Sequence, residues 1–166
     1  EHASFFAPKL ATRRWLPSDV SAPMIKSIAA WQRATNARYL LPAIELDVCH
    51  EPWPIENDEK RSIDAIVNIN MIHIAPWKAC ETLMAGAGRI LPEGGVLYLY
   101  GPFKREGKHT APSNETFDTW LKEQNADWGV KDIDAVEATA KAHQLALKEI
   151  IEMPANNLSL VFHKQP

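Results

Sequence analysis

A chain of 166 residues, 46% hydrophobic and 23% charged, has the size and composition of one globular domain with a sizeable core. Its net charge of −3 comes without any lysine or arginine run, which argues against a nucleic-acid groove and against a polybasic membrane anchor. No apolar run approaches the ~20 residues of a membrane span and no signal-peptide pattern opens the sequence. The two cysteines, Cys49 and Cys80, make no disulfide framework, so a reducing cytoplasm is the expected compartment.

The chain opens on a helical pattern, "EHASFFAPKLA", with Ala3, Phe6, Ala7 and Leu10 on one face and neither strand nor turn before it. It reads as a start in mid-motif. A short extended segment over residues 13–16 follows, closed by Pro17 and Asp19. Ser21 as N-cap and Pro23 in the first turn predict a helix over "APMIKSIAAWQRAT", with Met24, Ile25, Ile28, Ala29 and Trp31 as its apolar face. "AIELDV" predicts a strand, and "IDAIVNINMIHI" the most hydrophobic strand of the chain, stopped by Pro76. Helical spacing returns through Cys80, Leu83, Met84 and Ala87, and Gly94-Gly95 turns the chain into the strand "VLYLY". After the polar segment "KREGKHTAPS", Ser113 or Asn114 is the expected cap of "ETFDTWLKEQ". A further helix, "DIDAVEATAKAHQL", then precedes two last strands, "LALKEIIEMP" and "LSLVFHK", joined at "PANN" as an antiparallel hairpin.

Helices alternating with short apolar strands predict an α/β fold on a mostly parallel sheet, laid out as one domain over 1–166. In open α/β sheets ligands bind beyond the carboxyl ends of the strands, which makes Asp19, Asp47, Asn70 to His73 and Tyr100 to Lys104 candidates. Asp19 and Asp47 each end a predicted strand, as carboxylates that hold a ribose or adenine group do; they equally suit a helix cap and a solvated turn. Asn70 is an amide able to hold a ligand amine or carboxylate. His73 is either a general base or a hydrogen-bonded core imidazole among isoleucines. Asn156 and Asn157 are turn formers or site groups. Tyr98 and Tyr100 share one side of their strand. Gly86 and Gly88 mimic a phosphate loop but lie near a helix end, so all four glycines of "GAGRILPEGG" read as structural. Cys49 beside His50 lacks metal-ligand spacing, and no metal site is expected. The scattered tryptophans point to packing, not a base-stacking platform.

The words "WLPSD", "AWQ", "LDV", "NMIHIAPW", "GGVLYLYGPFK", "SNETFD", "WGVKD" and "MPANNL" together resemble class I S-adenosylmethionine-dependent methyltransferases. More closely, they resemble an uncharacterised methyltransferase-like, domain-of-unknown-function family. The resemblance implies a Rossmann-like methyltransferase sheet and S-adenosylmethionine as cofactor. It implies Asp19 as the ribose-binding acid, Asp47 with Val48 as the adenine-contacting pair, and Asn70 with Met71 beside the methionine moiety. His2 would follow the glycine-rich turn. The family's first strand and G-x-G turn precede the residues matching "EHA" and do not occur in this sequence, so the expectation is a trimmed or truncated methyltransferase sheet lacking its first strand. The implied activity is methyl transfer to a small-molecule acceptor, with His73, Tyr100 or Lys104 as base if one is needed and the 104–113 loop as a lid. The other expectations are a catalytically inactive domain that binds a partner or forms a homodimer through an exposed sheet edge, and an NAD-dependent oxidoreductase, which has only the fold in its favour.

Overall fold

The computed structural model describes residues 2–10, 13–35, 38–57 and 62–166. They fall into two compact units, Glu1–Pro54 and Ile55–Pro166.

In the first unit, helix α1 (His2–Lys9) is followed by strand β1 (Ser18–Asp19), helix α2 (Ala22–Thr35) and strand β2 (Ile44–Glu45). β1 and β2 are parallel, pairing Ser18 with Ile44 and Asp19 with Glu45. The extended segment expected at 13–16 contributes one parallel bridge, Trp15 with Leu40, and the regular ladder starts only at Ser18. Pro17 and Pro42 explain the interruption, because neither has an N–H to donate. Around them the Trp15 N–H donates to the Tyr39 carbonyl at 2.8 Å, and the Leu46 N–H to the Asp19 carbonyl at 3.1 Å. α2 has the predicted bounds. Ile25, Ile28 and Ala29 of its apolar face are half-buried, while Met24 and Trp31 stay exposed. Phe6 stacks on Trp15 with ring centroids 5.7 Å apart.

The second unit is a four-stranded mixed sheet in the order β3-β4-β8-β7. β3 (Ala65–Ile69) pairs parallel with β4 (Val96–Gly101), β8 (Asn157–Lys164) runs antiparallel to β4, and β7 (Leu145–Met153) runs antiparallel to β8. The last two strands thus form the expected hairpin, and β8 enters the sheet between β4 and β7. β3 is an edge strand, with no second ladder partner among the described residues. Helices α3 (Trp77–Ile90), α4 (Pro112–Gln124) and α5 (Ile133–Lys141) and the small hairpin β5 (Lys104–Arg105) and β6 (Lys108–His109) complete the unit.

The core follows the period-2 and period-3.6 patterns. Leu97 and Leu99 of β4, Leu160 and Phe162 of β8, Met84 and Ala87 of α3, and Val136 and Ala140 of α5 are all fully buried. α3 packs against α5, and Gly88 permits the approach: a Cβ there would stand 2.7 Å from the His143 carbonyl oxygen. Gly88, read as structural, is so for lack of room.

Several boundaries differ from expectation. α5 ends at Lys141, four residues before the end of the predicted helix, and β2 keeps only Ile44–Glu45 of the strand predicted over 43–48. Two further differences bear on the site. β3 stops at Ile69, and residues 71–74 form a 3-10 helix where a continuous strand was expected. Asn70 takes the left-handed conformation (φ +60°), which asparagine tolerates better than most residues and which no strand can continue through. α4 begins at Pro112, with Ala111 at the N-cap position and no side-chain cap. Proline is favoured at the first helical position, and Asn114 is instead drawn into bonds with Thr110 and the Asn156 carbonyl.

Candidate functional site

In the first unit, the two acids sit where the strands end. Asp19 is the last residue of β1, and its Oδ1 accepts the Ser21 N–H at 2.8 Å. Its other carboxylate oxygen has no bond among the described residues. Asp47 follows β2 by two residues; Oδ1 accepts the Cys49 N–H at 2.9 Å and Oδ2 lies 3.0 Å from Nδ1 of the exposed His50. Both carboxylates therefore shape the turn that follows them, as asparagine and aspartate do two residues ahead of a free N–H. Both side chains are half-buried and open on one side. The Val48 carbonyl accepts the Trp53 indole N–H at 3.1 Å. His2, the first residue of α1, is exposed.

In the second unit, the end of β3 is built by the left-handed turn at Asn70. The Asn70 N–H donates to the Tyr100 carbonyl at 2.9 Å and its carbonyl accepts the His73 N–H at 3.0 Å. The turn lifts the Asn70 side chain out of the strand pleat into a small cleft of about 270 Å³. Pro102, Ser113, Asn114, Phe117, Ala155 and Asn157 line the rest of it. None of these seven side chains carries a formal charge. The Asn70 Oδ1 is nonetheless buried with no hydrogen-bond partner, as is Oδ1 of Asn68. A buried unpaired acceptor costs about 1–3 kcal/mol and calls for an explanation.

His73 is not the solvent-facing general base that was one of the two expectations. Its ring is fully buried and meets Phe103 edge-on, with centroids 4.8 Å apart. Nδ1 accepts the Lys131 N–H at 3.3 Å, which puts the proton of the neutral ring on Nε2. Burial, reinforced by the Lys131 charge, lowers its pKa to about 3. The other reading, a core imidazole, is the observed one.

Lys104 is tied up in an ion cluster. Asp118, on α4, is almost fully buried, and its Oδ2 receives Lys104 Nζ at 3.0 Å, Lys122 Nζ at 2.9 Å and His109 Nε2 at 3.2 Å. Its Oδ1 accepts the Val130 N–H at 2.7 Å. Burial alone would raise the Asp118 carboxyl, but the bonds from Lys122, Lys104 and Val130 and the Lys104 charge hold it down at about 2. The cluster fastens the β5–β6 hairpin to α4, and Asp132 adds a bond to the Gly107 N–H at 2.7 Å. The segment expected to act as a loose lid is a pinned hairpin. Tyr100, half-buried, accepts the Asn157 Nδ2–H at 3.1 Å through its hydroxyl, while Tyr98 shares a 2.5 Å bond with the buried Ser159 Oγ.

Three stretches matter more than sequence reasoning suggested. Residues 128–132, "WGVKD", thread the site: Gly129 N–H donates to the His73 carbonyl, Val130 to Asp118, and Lys131 to His73, while the Lys131 carbonyl accepts from Lys104. Gly129 has to be glycine, since a Cβ there would meet Asp118 Oδ1 at 2.7 Å and its φ is +155°. Asp118 in "SNETFD" is the buried acid of the site, and nothing in its helical spacing distinguished it from a surface carboxylate. Asn156 and Asn157 are turn formers that also build the cleft: Asn156 Nδ2 donates to Ser113 Oγ at 3.1 Å, and its carbonyl accepts from Asn114.

The family described as "Protein of unknown function (DUF938)" matches residues 1–164. Among solved structures, an O-methyltransferase family 2 protein from Planctomyces limnophilus, in complex with apigenin, superposes with a TM-score of 0.82 at 20% identity, over 98% of this chain and 46% of that one. The structure of PigF with SAH gives 0.77 at 14% identity, over 96% of this chain and 46% of that one. LepI in complex with SAM gives 0.74 at 12%, over 99% and 40%. The fold is thus the Rossmann-like fold of methyltransferases, and the chain spans less than half the length of these neighbours.

Proposed function

This chain belongs to the DUF938 family of unknown function, and from that premise we propose that it is an S-adenosylmethionine-dependent methyltransferase acting on a small-molecule acceptor. The observation that carries the reading is a fold match at TM-score 0.82 over 98% of the chain to an O-methyltransferase family protein, joined to a strand-end cleft where that fold class places its ligands. That PigF and LepI are structures with SAH and SAM supports the choice of cofactor.

The carboxylates of the first unit have the chemistry that the nucleoside half of such a group needs. Asp19 has a carboxylate oxygen able to accept from a ribose hydroxyl, and Asp47 gives up only an exposed contact, with His50, to bind the adenine side. For the nucleoside the chain also offers Val48 and His2; for the transferring end, Asn70 and Met71. Bound S-adenosylmethionine would supply an electrophilic methyl group on its sulfonium. The side chains here bind and orient: His73 is buried and neutral, and Lys104 is held by Asp118, so neither serves as a base. Tyr100 remains half-exposed, with its hydroxyl on Asn157. Methyl transfer needs no obligatory base, because in-line placement of nucleophile and methyl group supplies most of the acceleration. The uncharged lining of the cleft and the net charge of −3 favour a small neutral acceptor over a nucleic acid.

Titration calorimetry of the full chain with S-adenosylhomocysteine tests the reading. Saturable binding is expected, weakened about tenfold in Asp19→Asn, which keeps the turn-forming oxygen and removes the charge. No heat at high protein concentration would sink it. The alternative, a domain that binds a partner or dimerises without catalysis, is favoured by the edge of β3, which pairs only with β4 among the described residues. A concentration-dependent mass in equilibrium sedimentation, together with absent S-adenosylhomocysteine binding, would select it.

A further inference from the structure

Beside the uncharged cleft lies a second one of about 370 Å³, near the lower end of small-molecule sites at about 300–1,000 Å³. Asn157 lines both. The lining of the second includes Arg105 of β5 and Glu152 of β7, with Met153 and Leu158 as apolar surface. The hairpin that carries Arg105 has two faces. Lys104 and His109 pair across its ladder, and both reach Asp118. Successive residues of a strand point to opposite faces, so Arg105 and its ladder partner Lys108 turn the other way. Two cations directly opposite each other repel, and neither has an ion pair among the described residues. The hairpin is held in place all the same, by Lys104 and His109 on Asp118 and by the Gly107 N–H on Asp132. Glu152 is likewise without an ion pair among the described residues, so the cleft carries charges of both signs that do not neutralise each other. Asn157 donates its amide N–H groups to Tyr100 at 3.1 Å and to the Pro154 carbonyl at 3.3 Å, and keeps Oδ1 as an acceptor.

We propose that this second cleft binds a free amino acid. Arg105, backed by Lys108, takes the carboxylate; Glu152 and Asn157 Oδ1 take the ammonium group; Met153 and Leu158 take the side chain. The proposal rests on the cleft alone and not on methyl transfer. The charges decide the class. A simple anion meets the repulsion of Glu152, and a simple cation meets that of Arg105 and Lys108, whereas a zwitterion satisfies both signs at once. Arginine grips a carboxylate through two parallel N–H bonds, which lysine cannot do, so Arg105 sets the ligand's orientation and Lys108 adds charge. An ammonium group has three donors and no acceptor, which suits a carboxylate and an amide oxygen. Both backbones are fixed before a ligand arrives, one by the Asp118 cluster and the other by the β7–β8 ladder, so binding orders side chains only. Because Arg105 and Glu152 are exposed, water screens both contacts and the affinity is modest, about millimolar.

Norleucine, an amino acid with an unbranched alkyl side chain, is the probe. Titrated into the full chain, it should shift the side-chain nitrogen–proton signals of Arg105 and Asn157 and saturate in the millimolar range. Norleucinamide, which keeps only the ammonium group, and hexanoate, which keeps only the carboxylate, should bind about tenfold more weakly. Arg105→Gln should weaken norleucine about tenfold and leave norleucinamide unchanged or tighter. Glu152→Gln should weaken norleucine by as much and tighten hexanoate. Lys108→Gln should cost about threefold. The side chains of Arg105 and Glu152 make no hydrogen bond or ion pair among the described residues, so these variants should fold, and backbone spectra check it. No saturable shift with norleucine, equal affinity for the three probes, or unchanged affinity in both variants would overturn the proposal. Displacement of norleucine by S-adenosylhomocysteine would overturn it too, since the residues would then hold the amino-acid end of the cofactor. If S-adenosylhomocysteine binds without displacing norleucine, the site and the methyltransferase reading stand together. If norleucine binds and S-adenosylhomocysteine does not, the site stands and the methyltransferase reading falls.

Discussion

The two units use their acids in opposite ways. Asp19 ends a two-residue strand and Asp47 follows another by two residues; both stay half-open to water and bond the backbone just ahead of them. Asp118 is buried in the second unit, with two lysines and a histidine on one oxygen and a backbone N–H on the other. The difference separates binding from building. A carboxylate that only shapes a turn keeps an oxygen for a ligand, whereas a buried one that holds two lysines is committed to the fold. The acids flagged by strand position are of the first kind and the unflagged one is of the second.

Removing the committed acid should give the largest effect. Asp118→Ala leaves Lys104, Lys122 and His109 facing one another without their anion and orphans the Val130 N–H. A loss of about 3–5 kcal/mol in equilibrium urea unfolding is expected. A loss under 1 kcal/mol would mean that water replaces the carboxylate, and the contrast between the units would collapse. Acid should show the same thing more gently. The Asp118 pKa is lowered from 3.8 to about 2 in the folded chain. Its stabilising contribution is thus complete above about pH 4 and is lost as the pH falls through 2. About 2 kcal/mol of acid-sensitive stability should be present in the wild type and missing in Asp118→Asn, read as unfolding midpoints between pH 5 and 2. Below that in size, Tyr98→Phe removes the partner of the buried Ser159 hydroxyl and should cost about 1 kcal/mol in the same urea experiment. The smallest effect belongs to the first unit. His50→Ala removes a contact whose histidine is 87% exposed, so stability in the urea experiment should change by less than about 0.5 kcal/mol. A larger shift would show that Asp47 depends on His50 and is not free to serve a ligand.

The helices were the most legible part of the fold. α2 and α3 lie where periodicity put them, within one residue, because an amphipathic stripe bounded by a proline or a change of period needs no tertiary knowledge. The C-terminal hairpin was legible for the same reason. Asn70 was legible as a strand-end amide, but its left-handed backbone was not: a run of branched apolar residues carries no record of where the strand breaks, so "MIHI" read as strand. His73 was open between base and core, and only burial chooses between them. The Lys104 lid failed differently. Its partner Asp118 lies fourteen residues ahead, on a helix face that looks solvated in one dimension.

By itself, then, the sequence determined the α/β class, the order of helices and strands, the strand-end positions of Asp19 and Asn70, and the likeness to methyltransferases, because local periodicity, turn chemistry and matching motifs act over a few residues. Tertiary structure alone decided that His73 is neutral and buried, that Asp118 gathers two lysines and a histidine, that "WGVKD" ties the site together, and that Gly101 lies beside an unpartnered donor and an unpartnered acceptor. Protonation, burial and pairing depend on which segments meet in space, and desolvation, the force that sets them, begins only when those segments have closed over one another.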